Sequence, residues 1–163
     1  MNSAYQQIVD YFAQQGWTFY QHVGQPILIL HFQGENSCWT CRTLAREDVV
    51  VFLSEFPSRA TLAQRSTCAE LLTRLNFGLK HSCYELDFES GLIRLRTSQM
   101  IGVAGLTLQD IGNVVSTNLC VFNFHYRVIM RVLHGGVTPK LALHDEANKK
   151  VVEPVTARRF EIN

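Results

Sequence analysis

The chain has 163 residues, of which 47% are hydrophobic, and a formal net charge of +1. This length and hydrophobic fraction are typical of a single globular domain. The small net charge argues against a surface that mainly holds nucleic acid. The longest apolar runs, 27–30 and 49–53, are far too short to cross a bilayer, and no signal peptide is evident, so we expect a cytoplasmic protein without a membrane partner.

The first third of the chain is predicted to form one helix and four strands. Tyr5, Ile8 and Phe12 recur at helical spacing, and Gly16 ends the pattern. Short connections between the following segments predict neighbouring antiparallel strands, and the apolar runs in the second and fourth of them offer side chains to both faces of a sheet. The expected strands cover residues 17–22, 27–33, 37–45 and 49–56.

A second helix is expected over residues 59–75, with Ser58 as a possible N-cap. Its end is marked by Asn76 and Gly78, residues that tolerate the left-handed conformation found after a helix. The apolar stripe of this helix consists of Leu62, Ala69, Leu72 and Leu75.

The second helix is followed by a β-hairpin that turns at Gly91. Apolar and charged residues alternate on both arms, so one face is apolar and the other carries Glu85, Asp87, Arg94 and Arg96. A two-residue loop would place Asp87 opposite Arg94, whereas a four-residue loop would place Glu85 opposite Arg94. In either register we interpret the charged residues as a surface ladder and not as an acid–base site.

A long third helix is predicted over residues 108–134, with Thr107 as its N-cap and Asp110 completing a capping box. It carries two apolar stripes, which indicates burial from two sides. Two interpretations of the second stripe remain open: contact with other helices of the same domain, or a protein interface. The first stripe is Leu108, Ile111, Val115, Phe122, Ile129 and Leu133, and the second, our candidate interface, is Val114, Val121, Val128 and Val132.

The region around the hairpin resembles a known family. A helix that ends in LLTRLN, the segment YELDFESGLIRLRTS and the long helix after it resemble the YbjN-like family of bacterial proteins, over roughly residues 1–134. The resemblance implies a fold like that of type III secretion chaperones, a regulatory role and no established catalytic residues. Together with the periodicities, it predicts a two-layer α+β domain in the order α-β-β-β-β-α-β-β-α, with an antiparallel sheet and helices mainly on one face. Residues 1–136 would form this domain, and 137–163 a partly ordered C-terminal extension.

The sequence shows no assembled catalytic or metal site. Cys38 and Cys41 form a CxxC pair, but residues three apart on a strand point to opposite faces, so we predict neither a shared metal nor a disulfide between them. Five cysteines without a disulfide-rich spacing fit a reducing compartment. His31, in an apolar strand, is interpreted as an ordinary core or sheet-surface histidine.

We therefore expect a non-catalytic protein-binding or chaperone-like regulator that acts through apolar sheet and long-helix surfaces. Its apolar faces exceed what one two-layer domain can cover, which favours a homodimer as the first form of binding. The alternative is a small-ligand sensor with a pocket between sheet and helices. We expect no cofactor, no metal and no nucleic-acid partner.

Overall fold

A six-stranded antiparallel sheet and four α-helices make up the described part of the protein. The structure, a computed structural model, describes residues 3–35, 37–103 and 105–149. The sheet has the strand order β1-β2-β3-β4-β6-β5, and the predicted order of elements is confirmed with one further helix at its end. The elements are α1 (Ser3–Gln14), β1 (Tyr20–Gln21), β2 (Ile27–Gln33), β3 (Cys38–Ala45), β4 (Val49–Glu55), a 3-10 turn (Leu62–Gln64), α2 (Arg65–Asn76), β5 (Ser82–Leu86), β6 (Ile93–Met100), α3 (Leu108–Gly135) and α4 (Pro139–Lys149).

The helices lie on one face of the sheet, as predicted. On that face Leu30, Cys41, Ser54 and Leu95 form a row across β2, β3, β4 and β6, and all four are fully buried. Helix α3 packs over β4 and β6, and α1 packs against α3 and β3. The alternate residues of each strand point to the opposite side, where none of the described helices packs. We call this side the open face.

A buried asparagine attaches α3 to the sheet. The Nδ2 of Asn118 donates hydrogen bonds to the carbonyl oxygens of Phe52 at 3.1 Å and Leu95 at 3.2 Å, and to Oγ1 of Thr97 at 3.0 Å. Its Oδ1 accepts a hydrogen bond from the Ser54 hydroxyl at 2.5 Å. These bonds join β4 and β6 to the middle of the helix. The role of Asn118 was not predictable from the sequence, where its only signal is a polar position within an apolar helix stripe.

The start of the second helix differs from the prediction. A 3-10 turn begins at Leu62 and is capped by Thr61, not by Ser58, before α2 continues. The cause is a tertiary contact, because Ala60 N–H donates to the Gly91 carbonyl at 2.8 Å and so holds the preceding segment against the hairpin turn. Leu62, which was placed in the buried stripe, is 78% exposed.

The first strand is shorter than the expected 17–22. Only the two residues of β1 pair with β2. Trp17 packs edge-on against Phe32 with ring centroids 5.2 Å apart, and Phe19 lies 5.9 Å from Phe12. The segment between α1 and β1 therefore contributes the rings of Trp17 and Phe19 to the core between α1 and the sheet.

Helix α4 accounts for part of the predicted C-terminal extension. It packs on α2 and α3 with Ala142 fully buried, and Asp145 pairs with Arg131 of α3 at 2.7 Å. Residues 150–163 lie outside the described residues, and the boundary at residue 136 stays a prediction. Within the described part of the chain, no helix has the length and apolar character needed to cross a membrane.

Candidate functional site

An aliphatic cluster occupies one half of the open face. The register places three of its members in one row across β2, β3 and β4, and the other two in the next row. Four of the five are only half-buried, although their neighbours on the helix face are fully buried. Tyr20 and Met100 flank the cluster and are 59% and 65% exposed. We define the apolar block as Ile27, Leu44 and Val51 in the first row and Ile29 and Leu53 in the second.

Charged residues occupy the rest of the open face and pair with one another, and they reach into the second row of the apolar block, where Arg42 lies between Ile29 and Leu53. Glu85 accepts hydrogen bonds from Nε of Arg94 at 2.7 Å and Nε of Arg96 at 2.6 Å. Arg42 pairs with Glu55 at 2.9 Å. Partial burial raises the pKa of Glu85, but the hydrogen bonds and charges of its two arginines outweigh this and hold the pKa below its usual value. We call these five residues the charged ladder.

The hairpin adopts the register with the four-residue loop. Glu85 lies opposite Arg94, and Asp87 N–H donates to the Leu92 carbonyl at 2.9 Å. Asp87 takes no part in the ladder, because its carboxylate accepts a hydrogen bond from the Ser90 hydroxyl within the turn. That hydrogen bond is the main cause of the lowered pKa of Asp87.

The four candidate interface valines of α3 lie inside the protein. Val114, Val128 and Val132 are 5%, 1% and 6% exposed, and Val121 is half-buried. All four belong to the hydrophobic core or pack against it, so contact within the domain accounts for the second stripe. Their role in a protein interface stays a prediction, and the open face is the stronger candidate for binding.

Cys38 and Cys41 point to opposite faces of the sheet, as their spacing predicts. Cys38 is exposed on the open face, whereas Cys41 is buried on the helix face with its Sγ 3.1 Å from the Ser54 hydroxyl oxygen. Burial raises the pKa of the Cys41 thiol far above its usual value, so the thiol stays protonated and unreactive. His31 is exposed on the open face, with its Nδ1 3.3 Å from Oγ1 of Thr40.

The pKa values of two deeply buried titratable groups, Cys41 and Tyr84, are shifted away from the range that catalysis requires. Burial raises the pKa of Tyr84, whose hydroxyl donates to the Val121 carbonyl at 3.2 Å. A thiol or phenol that acts as a nucleophile or general base needs a pKa lowered towards neutrality, and the pKa values of Cys41 and Tyr84 are both raised. Across residues 3–35, 37–103 and 105–149, no three His, Cys, Asp or Glu side chains converge as metal ligands. The groups that the open face offers are aliphatic side chains and paired charges.

The β5 edge of the sheet is closed to a further strand at its middle. At the β5 edge, Nδ2 of Asn76 donates to the Tyr84 carbonyl at 3.0 Å, and Tyr84 N–H donates to Oδ1 of Asn76 at 2.7 Å. These two backbone groups point away from β6 and would otherwise be available to an incoming strand. The side chain of Asn76 therefore closes the middle of that edge, which favours the open face over the β5 edge as a contact surface.

Comparisons with known proteins bear on the fold. No protein-family model matches the chain, and no curated protein matches it. Among solved structures, the crystal structure of YbjN from E. coli, described as a candidate transcription regulator, matches with a TM-score of 0.60 and 12% sequence identity. The match covers 83% of this chain and 93% of that chain, and the neighbour is described as a regulator and not as an enzyme. The chain is therefore similar to YbjN in its α+β fold.

Proposed function

We propose that this protein is a non-catalytic, protein-binding regulator whose open face binds a second copy of the same chain. The observation that carries the proposal is the apolar block, five aliphatic side chains on a sheet face that none of the described helices covers. Covering a half-buried aliphatic side chain contributes about 1 kcal/mol, so the block can supply several kcal/mol to an association. The description of YbjN as a regulator supports a regulatory role. The family resemblance of the sequence, which implies a fold like that of secretion chaperones, favours the binding of another chain.

The charged ladder favours a second copy over a partner that carries charge of one sign. Its three arginines and two glutamates pair with each other within one protomer, so two copies can approach without strong repulsion. A two-fold axis can place the first row of one apolar block on that of the other and leave Glu85 with its two arginines at the wet rim. The six strands are about 4.8 Å apart, and the four strands of seven or eight residues are about 23 Å long. Because β1 and β5 are shorter, the plane is at most roughly 24 by 23 Å, which is of the same order as the roughly 800 Å² that each partner buries in a stable complex.

Sedimentation velocity at about 10 μM, on the wild type and on a variant with one substitution in the first row of the block, tests the proposal. The wild-type chain should sediment as a dimer. Val51→Glu should dissociate it, because the two-fold axis puts two carboxylates into the apolar contact, and we expect the dissociation constant to rise at least about 100-fold.

Val23→Glu is the matched control, since it introduces the same charge at a valine that is 93% exposed in the turn between β1 and β2. This variant should remain a dimer, and circular dichroism should show that both variants are folded. A wild-type monomer at about 100 μM, or equal effects of the two substitutions, would contradict the proposal.

A further inference from the structure

A surface cleft of about 420 Å³ lies between the C-terminal half of α1 and the first turns of α3. Its volume falls within the roughly 300–1,000 Å³ typical of small-molecule sites. Among the described residues that line it, none carries a charge, and most offer amide or hydroxyl groups. We propose that this cleft binds a neutral, polyhydroxylated ligand, namely one or two sugar rings. The site is on the helical layer, so it is independent of the dimer proposed for the open face.

Several polar groups of the cleft are available to a ligand. In the described part of the chain, no side-chain hydrogen bond engages the amides of Gln14 and Gln15 or the hydroxyl of Tyr11. On the opposite wall, Nε2 of Gln109 donates to Oδ1 of Asn113 at 2.9 Å, which aligns two further amides along α3. The two walls therefore present both donors and acceptors to the space between them.

Gly112 forms the floor of the cleft at a position where helix stability would favour another residue. Glycine is among the least favourable residues inside a helix, and Gly112 lies in the second turn of α3. A Cβ at this position would lie 3.2 Å from the Tyr11 hydroxyl oxygen. The glycine thus allows the Tyr11 ring and its hydroxyl to approach α3 closely at the floor of the cleft. A residue that violates local propensity in this way is expected where binding outweighs stability.

The lining chemistry selects the class of ligand. A phosphate or carboxylate would lose its hydration here without gaining a cation, which disfavours anions. Each sugar hydroxyl both donates and accepts, and a side-chain amide offers the matching pair of groups. The ring of Tyr11 and the half-exposed Leu108 provide apolar surface for the C–H faces of a sugar ring.

Nuclear magnetic resonance of the full ¹⁵N-labelled chain, titrated with D-glucose and with maltose, tests the inference directly. We expect saturable shifts of the side-chain amide signals of Gln14, Gln15, Gln109 and Asn113 with at least one sugar, with a dissociation constant of about 1–10 mM. Inorganic phosphate at the same concentrations should leave these signals unchanged. Shifts that stay linear up to about 100 mM sugar, the absence of shifts with both sugars, or equal shifts with phosphate would each overturn the inference.

Three substitutions test whether the sugar binds in the cleft or elsewhere on the surface. Asn113→Leu changes an exposed position and should weaken sugar binding at least tenfold, while Gln6→Leu, an exposed amide of α1 outside the cleft, should leave it unchanged. Gly112→Ala should weaken binding, because its methyl group would lie 3.2 Å from the Tyr11 hydroxyl and displace it at the floor of the cleft. If Gly112→Ala binds sugar as well as the wild type does, or if Gln6→Leu weakens binding as much as Asn113→Leu, the cleft is not the site.

Discussion

At the scale of single residues, Asn118 decides how α3 sits on the sheet. A buried amide destabilises a core unless its donors and acceptor are all paired. Here both ends of the side chain are paired, with two backbone carbonyls and two hydroxyls of the strands below. Because these partners have fixed positions in β4 and β6, the amide specifies one position and one rotation of the helix, which apolar contacts alone would leave less defined.

Replacing Asn118 with leucine should lower the free energy of unfolding by about 3 kcal/mol, because the Ser54 hydroxyl and the strand carbonyls lose their partner in the core. Urea denaturation followed by circular dichroism measures the change. Asn113→Leu, the same substitution at an exposed position of α3, should change stability by less than about 0.5 kcal/mol. Equal midpoints for Asn118→Leu and the wild type would show that the bonds to Asn118 contribute no net stability.

At the scale of elements, the β5–β6 hairpin is held by its turn as well as by its strands. Gly91 has a φ of +72°, and a Cβ there would collide with the carbonyl oxygen of Ala60. Gly91→Ala should therefore destabilise the fold by about 3 kcal/mol or more, the sum of left-handed strain and a forced backbone shift. Gly24→Ala is the control, since Gly24 has a φ of +79° with nothing within 4 Å of its Cβ position, and it should cost only about 1–2 kcal/mol. Equal losses in thermal or urea unfolding would refute the close contact with Ala60.

The charged ladder predicts how the stability of this hairpin depends on pH. The folded pKa of Glu85 is lowered, so its contribution is present above the unfolded glutamate value of about 4.3 and is lost as pH falls through the folded pKa. Glu85→Gln should lower stability by about 1 kcal/mol at pH 7, because the pair is partly exposed. The difference from the wild type should vanish as the wild-type carboxylate becomes protonated in acid. A constant difference from pH 7 to pH 2.5 would instead indicate lost packing.

Elements governed by local pattern were predictable from the sequence, and those governed by distant contacts were not. Thr107 and Asp110 cap α3 as their spacing predicts, and Gly136 ends it with a φ of +62°. The start of α2 was predicted wrongly because the bond from Ala60 to the Gly91 turn has no local signature. The hairpin register stayed open because alternation alone fits both loop lengths.

At the scale of the whole molecule, the open face could be predicted because β2 and β4 are apolar on both sides while the helices cover one. The cleft beside Gly112 could not, because it requires α1 and α3, about 100 residues apart in the chain, to lie side by side. The role of Asn118 depends in the same way on strands far from it in sequence. The pattern of the chain thus indicated the layers of the protein but not the polar groups that connect them.

The strand order has a consequence for the chain while it is being synthesised. Strand β4, with the apolar sequence VVVFLSE, has β3 on one side and receives its second neighbour only when β6 has been made. At about 5–20 residues per second, the roughly 45 residues between the ends of β4 and β6 take several seconds to emerge. For that interval the incomplete sheet exposes an unpaired apolar strand at its growing edge. The nascent protein is therefore most open to mispairing on the ribosome midway through translation, and the arrival of β6 ends that period.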